Sequence, residues 1–161
     1  MPDFNFATER TICFLLRDGK ILLPMKKRGF GAGNYNGYGG KKDPVDNTID
    51  ETAIRELWEE ARLTARAEHL DRRAVIDFHF PAKPEFNQRV HVYFLEQWEG
   101  EPVETEEMKP EWFNMDAILY DKMWDSDRIW LPIVLSGKKI GATFVWKEDN
   151  KTVDSYRIID L

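Results

Sequence analysis

Thr52-Ala-Ile-Arg-Glu-Leu-Trp-Glu-Glu-Ala-Arg-Leu63 decides the reading of this chain. At about 3.6 residues per turn, Glu56, Glu59 and Glu60 share one arc of a helix, and Ala53, Ile54, Leu57 and Ala61 fall on the adjoining arc. The apolar arc can bury the helix against a sheet. The acidic arc then faces outward with three carboxylates that repel one another. Arg55 can pair with Glu59 across one turn and offset part of that. A cluster of hard oxygen ligands suits Mg²⁺ or Mn²⁺, with phosphate oxygens completing the coordination.

Upstream, Arg28 to Gly40 (RGFGAGNYNGYGG) holds six glycines in thirteen residues. This is a loop in which backbone can approach a ligand closely. Lys26, Lys27 and Arg28 precede it, a local cationic cluster that suits a small anion. The whole chain is acidic, with net charge -6, which argues against binding a nucleic acid polymer through a basic face.

Helix is expected over 48–62 with Asn47 as N-cap. Strands are expected over 8–16, then 21–25 after an Asp18-Gly19 turn, with Pro24 marking an edge or bulge. Alternation predicts half-buried strands at 74–80 and 89–97. A strand over 108–113, helical turns over 115–135 interrupted near Asp125, and a hairpin pairing 139–147 with 152–160 complete the chain. The order implies an α+β fold, a mixed sheet flanked by helices as an α/β/α sandwich, and one domain over 1–161. Cys13, alone in an apolar run, reads as a small buried hydrophobe. No apolar run is long enough for a membrane helix, and MPDFNFATER lacks the basic-then-apolar pattern of a signal peptide. A soluble, monomeric, cytoplasmic protein is expected.

Gly40…Arg55-Glu56-Leu57-x-Glu59-Glu60, with Leu63 closing the pattern, resembles the Nudix box, G-x5-E-x7-R-E-U-x-E-E-x-G-U with U aliphatic. MKKRGFGAG, NYNGYGG, VETEEMKPEWF and Lys122-Met-Trp-Asp-Ser-Asp127 extend the resemblance to the branch that hydrolyses oxidised purine nucleoside triphosphates. The box departs from the pattern in three places. The Gly40 to Arg55 spacing is one residue longer, Asn47 stands where the first Glu would be, with Asp46 beside it, and Arg62 replaces the late Gly.

The resemblance implies a Nudix fold and Mg²⁺-dependent cleavage, Mn²⁺ being an alternative, of a small-molecule nucleoside triphosphate to monophosphate and pyrophosphate. It implies Glu56, Glu59 and Glu60 as catalytic and metal-binding groups, with the Gly40 carbonyl and Glu107, or its neighbour Glu106, as further ligands. Glu60 or Glu59 would take the proton of the attacking water. Thr11, Lys26 and Gly39 match positions near sugar and phosphates. Phe30, Asn36, Phe78, Trp124 and Asp127 match the base pocket. Ser126 stands where the branch has the first of two aspartates, which implies a narrower substrate range. Two rivals remain: a Nudix pyrophosphatase acting on dinucleotides, nucleotide sugars or caps, and a non-catalytic nucleotide-binding module.

Overall fold

The computed structural model describes residues 5–161. Nine strands are present in the described chain: β1 (Thr8–Arg17), β2 (Lys20–Leu22), β3 (Met25–Lys26), β4 (Asp71–His79), β5 (Gln88–Leu95), β6 (Met108–Lys109), β7 (Trp112–Asn114), β8 (Ile140–Trp146) and β9 (Val153–Asp160). Two α-helices, α1 (Ile49–Ala61) and α2 (Asp127–Leu135), accompany them. Seven strands form one sheet in the order β7-β2-β1-β5-β4-β8-β9, and β3 pairs with β6 in a small second sheet. The β1–β5 and β4–β8 pairs are parallel and the other pairs antiparallel. This is the mixed sheet that the element order implies.

Strand alternation sorts side chains to the two faces. Ile12, Phe14 and Leu16 of β1 and Val90, Val92 and Phe94 of β5 join Trp130, Leu131 and Val134 of α2. Cys13, Leu15, Tyr93 and Leu95 point the other way and pack on Ala53, Leu57 and Ala61 of α1. A helix thus covers each face. The central strand β5 is buried on both faces, so His91 and Tyr93 are not the solvent side of a half-buried strand. Burial pushes the Cys13 thiol up to about 12, in keeping with a buried hydrophobe.

Three expectations fail for local reasons. Pro24 donates no hydrogen bond, so 21–25 splits into β2 and β3, which belong to different sheets. Pro110 divides 108–113 in the same way. The N-cap of α1 is Thr48, whose hydroxyl accepts from the Glu51 N–H at 3.2 Å, while the Asn47 N–H donates to the Glu51 carboxylate at 2.7 Å. This reciprocal arrangement resembles a capping box and leaves the Asn47 side chain without the cap role.

Arg62 occupies the left-handed C-cap of α1, with φ 57 and ψ 35, and its N–H donates to the Trp58 carbonyl. That conformation costs an L-residue about 1–2 kcal/mol that glycine avoids. Arg62→Gly loses a side-chain bond to the Trp58 carbonyl and a contact over the Trp58 ring, both at the surface. We expect a net gain of up to ~1 kcal/mol in urea unfolding; a clear loss would show that the surface contacts outweigh backbone strain.

Candidate functional site

Beside β1, the glycine loop, α1 and the β8–β9 hairpin enclose a cleft of about 480 Å³. At one end it meets α1. Gly39 and Gly40 run so close to β1 and α1 that a β-carbon on Gly39 would fall 1.8 Å from the Thr11 carbonyl oxygen, and one on Gly40 would fall 2.5 Å from Glu56 Oε1. Only glycine fits at Gly39, where the clash is with backbone, and any side chain at Gly40 would have to displace the Glu56 carboxylate. The Gly39 N–H donates to Glu60 Oε1 at 2.7 Å, and the Gly40 carbonyl accepts from the Thr11 N–H at 2.9 Å. That carbonyl keeps a second lone pair for a ligand.

Arg55 organises the acidic helix. It forms two bonds to Asp46 at 2.9 and 3.1 Å, meets Glu56 at 3.0 Å and Glu59 at 3.3 Å, and donates to the Lys41 carbonyl. Asp46 is buried and also accepts from the Thr52 hydroxyl and the Asp43 N–H, so the Arg55 guanidinium holds its carboxyl far below the usual range. Asp46, not Asn47, braces the loop against the helix.

Glu56 is half-buried and Glu60 is 7% exposed. Burial raises both carboxyls, and Glu60 reaches about 8 although the Gly39 N–H opposes the shift. Glu107 faces the same end of the cleft. Glu106 is exposed and lies beside Arg28, which leaves Glu107 as the one of the two acids in the cleft. Glu59 lies outside the cleft, drawn toward Arg55. Among the described residues no three acidic or histidine side chains converge as a preassembled cation site. The reason is visible: uncompensated carboxylates repel, and Arg55 and the Gly39 N–H hold them apart. The donor set still fits a hard divalent cation, because Glu56 and Glu60 offer carboxylate oxygens at the end of the cleft that Glu107 also lines.

The cationic cluster divides. Lys27 pairs with Glu104 at 2.6 Å, and Arg28 with Glu106 and Glu107. Lys26 lines the cleft and makes no ion pair among the described residues.

The other end is aromatic. Phe30 and Trp124 lie 5.5 Å apart, and Phe78 and Trp146 6.0 Å apart. Asn36 lines the cleft, with its Oδ1 accepting from the Gly37 N–H, so its amino group remains to be paired. Asp127 is 5% exposed; burial pushes its carboxyl up to about 7, against the Trp130 indole N–H on Oδ1. Its Oδ2, like Thr11 Oγ1 and Ser126 Oγ, makes no hydrogen bond of good geometry among the described residues, although the nearby Ser126 hydroxyl favours the ionised carboxyl. Buried polar atoms without partners are costly, and these line the cleft. Every residue the sequence assigns to base, sugar, phosphate or metal, Glu59 excepted, is on the cleft wall: Thr11, Lys26, Phe30, Asn36, Gly39, Gly40, Glu56, Glu60, Phe78, Glu107, Trp124 and Asp127.

The sequence reading missed Arg10, Phe80, Trp146 and Asn150, which also line the cleft. Phe80 was readable, since it shares the alternation of Ile76 and Phe78. The others reach the cleft through strand pairing that no local pattern announces.

A flat aromatic slot joined to an acidic helix and a close-packed glycine backbone is the arrangement of a protein that holds a nucleotide by both its base and its phosphates. The NUDIX domain model matches residues 7–133. The chain belongs to the Nudix family. It is 39% identical over 144 residues to the oxidized purine nucleoside triphosphate hydrolase of Danio rerio, covering 89% of this chain and 90% of the relative. The protein of the same name from Mus musculus is 39% identical over 151 residues, 94% of each chain. A MutT protein from Bacillus halodurans has the same fold, with a TM-score of 0.78 at 24% identity, covering 94% of this chain and 97% of its own. Among the described residues no helix is long and apolar enough to cross a membrane.

Proposed function

We propose that this chain hydrolyses modified purine nucleoside triphosphates of the 8-oxo-dGTP and 2-oxo-dATP type to the monophosphate and pyrophosphate, sanitising the nucleotide pool. The observation that carries this reading is the single cleft in which the aromatic slot meets the acidic helix. The curated relatives at 39% identity support it through their names. The chain acts as one domain and as a monomer in the cytoplasm, on free nucleotides rather than a polymer, in keeping with its net charge of -6.

Glu56, Glu60, Glu107 and the Gly40 carbonyl would hold Mg²⁺ or Mn²⁺, and Glu59 would join them by turning from Arg55. When bound, the cation neutralises phosphate charge and lowers the pKa of a water. Lys26 adds positive charge beside the phosphates, and Thr11 and Gly39 flank the sugar and phosphate path. Glu60 faces the cleft and Glu59 does not, so Glu60 takes the proton of the attacking water when its carboxyl is held ionised by a cation beside it, against the effect of burial. Phe30, Phe78 and Trp124 offer apolar ring surface for the base to pack against. The Asn36 amide and the Asp127 carboxyl read its edge.

The test is pyrophosphate release from 8-oxo-dGTP, 2-oxo-dATP, O6-methyl-dGTP and dGTP, with and without Mg²⁺. Metal-dependent pyrophosphate release, fastest on one modified purine, is expected. Orthophosphate as the product, or no turnover, would overturn the reading. Asn36→Ala should weaken binding of the preferred purine triphosphate by ~1–3 kcal/mol, the scale of a lost buried polar partner. Equal losses for a pyrimidine triphosphate would remove Asn36 from base recognition.

A further inference from the structure

The tip of the β8–β9 hairpin closes the aromatic end of the cleft. Trp146 is 3% exposed, lies flat on Phe80 at 5.5 Å and 6°, and meets Trp124 edge-on. Its strand slips register between Val145 and Trp146. Such irregularities re-aim side chains beside binding sites. The Trp146 Nε1–H is buried with no partner among the described residues.

Four residues on, Asn150 turns the hairpin in a left-handed conformation, φ 57. The turn is held from both sides. The Asn150 N–H donates to the Lys147 carbonyl at 2.9 Å. The Asp149 carboxylate accepts from the Lys151 and Thr152 N–H groups at 2.9 Å and from the Thr152 hydroxyl. The Val153 N–H donates to Asp125 Oδ2 at 2.9 Å, which ties the hairpin to the segment carrying Ser126 and Asp127. Asn150 lines the cleft, and its Oδ1 is likewise buried with no partner.

The hairpin therefore brings two cleft-lining residues together, each with a buried polar atom that has no partner among the described residues: a donor, Trp146 Nε1–H, and an acceptor, Asn150 Oδ1. Leaving both unpaired is costly, so a ligand that supplies an acceptor and a donor gains against one that does not. Oxidation at C8 of a purine creates that pattern: a C8 carbonyl accepts, and the adjacent N7 becomes an N–H donor. An unmodified purine has a C8–H and an N7 acceptor, which would leave the Asn150 oxygen unsatisfied and opposed by a lone pair.

We propose that Trp146 and Asn150 are specificity residues that read the oxidised imidazole edge of an 8-oxopurine, an assignment that rests on the base entering this cleft. Asn36 and Asp127 serve the rest of the base, so the two kinds of purine damage are read by different walls.

The experiment compares wild type, Asn150→Gly and Trp146→Phe. Glycine keeps the left-handed turn without strain, and phenylalanine keeps the ring while removing the N–H. Two ratios of kcat/KM are measured, 8-oxo-dGTP to dGTP and 2-oxo-dATP to dATP. Binding of 8-oxo-dGMP and dGMP is measured by calorimetry without divalent cations, and thermal unfolding checks the fold. Each variant should lower the first ratio by ~5-fold or more, the scale of one neutral hydrogen bond, and leave the second within about 2-fold. The same selective loss should appear in monophosphate binding. If both ratios fall together, or neither moves in folded variants, the assignment is wrong. If wild type hydrolyses none of these triphosphates yet binds 8-oxo-dGMP in preference to dGMP, and the variants lose that preference, the hydrolytic reading fails while the recognition stands.

Discussion

Glu56→Gln should fold as wild type does and lose at least ~10²-fold in kcat, the scale of removing one charge-stabilising element from an active site. The expectation follows from position. Glu56 sits beneath Gly40, so near that no β-carbon fits between them, and it is half-buried at the acidic end of the cleft. Glutamine keeps the volume and removes the charge that a divalent cation would need. Arg55 retains its two bonds to Asp46 and its contact with Glu59, so the loop and helix stay joined. The measurements are circular dichroism, thermal unfolding and steady-state turnover at saturating Mg²⁺. A folded variant with near wild-type turnover would remove Glu56 from the reaction. Loss through KM alone, with kcat unchanged, would place it in ground-state binding instead.

That prediction uses the part of the molecule most open to sequence reading. The period of α1 placed Leu57 and Ala61 in the core and left Glu56 and Glu60 turned toward the cleft, because side-chain direction on a helix follows from spacing alone. Spacing offered the Arg55–Glu59 pair, but did not show that it would keep Glu59 out of the cleft. Its direction depends on Arg55, and Arg55 is held by Asp46, a residue whose burial comes from how the longer loop folds back on the helix. The same limit explains the strands. Alternation located β4 and β5, and the hairpin reading located β8 and β9, but two prolines each cut a short run, and only tertiary pairing decides which sheet the pieces join. The aromatic slot was legible at Phe30, Phe78 and Trp124 through resemblance to the family. Asn150 falls between the two strands of the expected hairpin, and nothing local announces its approach to the cleft, which is set by a hairpin pinned to Asp125 across 28 residues.

Asp127 should make the protein less stable as pH rises toward 8, and Asp127→Asn should abolish that dependence. The carboxyl is buried, and its pKa rises from 3.8 to about 7 on folding because burial penalises the charged form more than the Trp130 and Ser126 side chains favour it. Below pH 3.8 both folded and unfolded chains hold the proton, and the group adds no difference. Between 3.8 and about 7 the unfolded chain releases its proton while the folded chain keeps it. Stability therefore falls with rising pH across this window and the loss is complete above about 7. Three units correspond to roughly 4 kcal/mol at most. The measurement is the difference in urea unfolding free energy between Asp127→Asn and wild type at pH 4, 6 and 8, which cancels the titration of other groups. The variant should gain on wild type by a few kcal/mol over that range; a constant difference would mean that the carboxyl ionises in the folded protein as it does in the unfolded chain. Ligand binding should follow the same proton. A base edge that accepts from protonated Asp127 binds best below about pH 7, and one that donates binds better above it. Ser126 sharpens the case, because it is wholly buried beside Asp127. Ser126→Asp would place a second carboxyl where solvent cannot reach, so the pair would share a proton and titrate together. The variant should accept more kinds of purine, and it should unfold more readily than wild type above pH 7. If it is as stable as wild type at pH 8, the site admits water and the elevated Asp127 pKa has another origin.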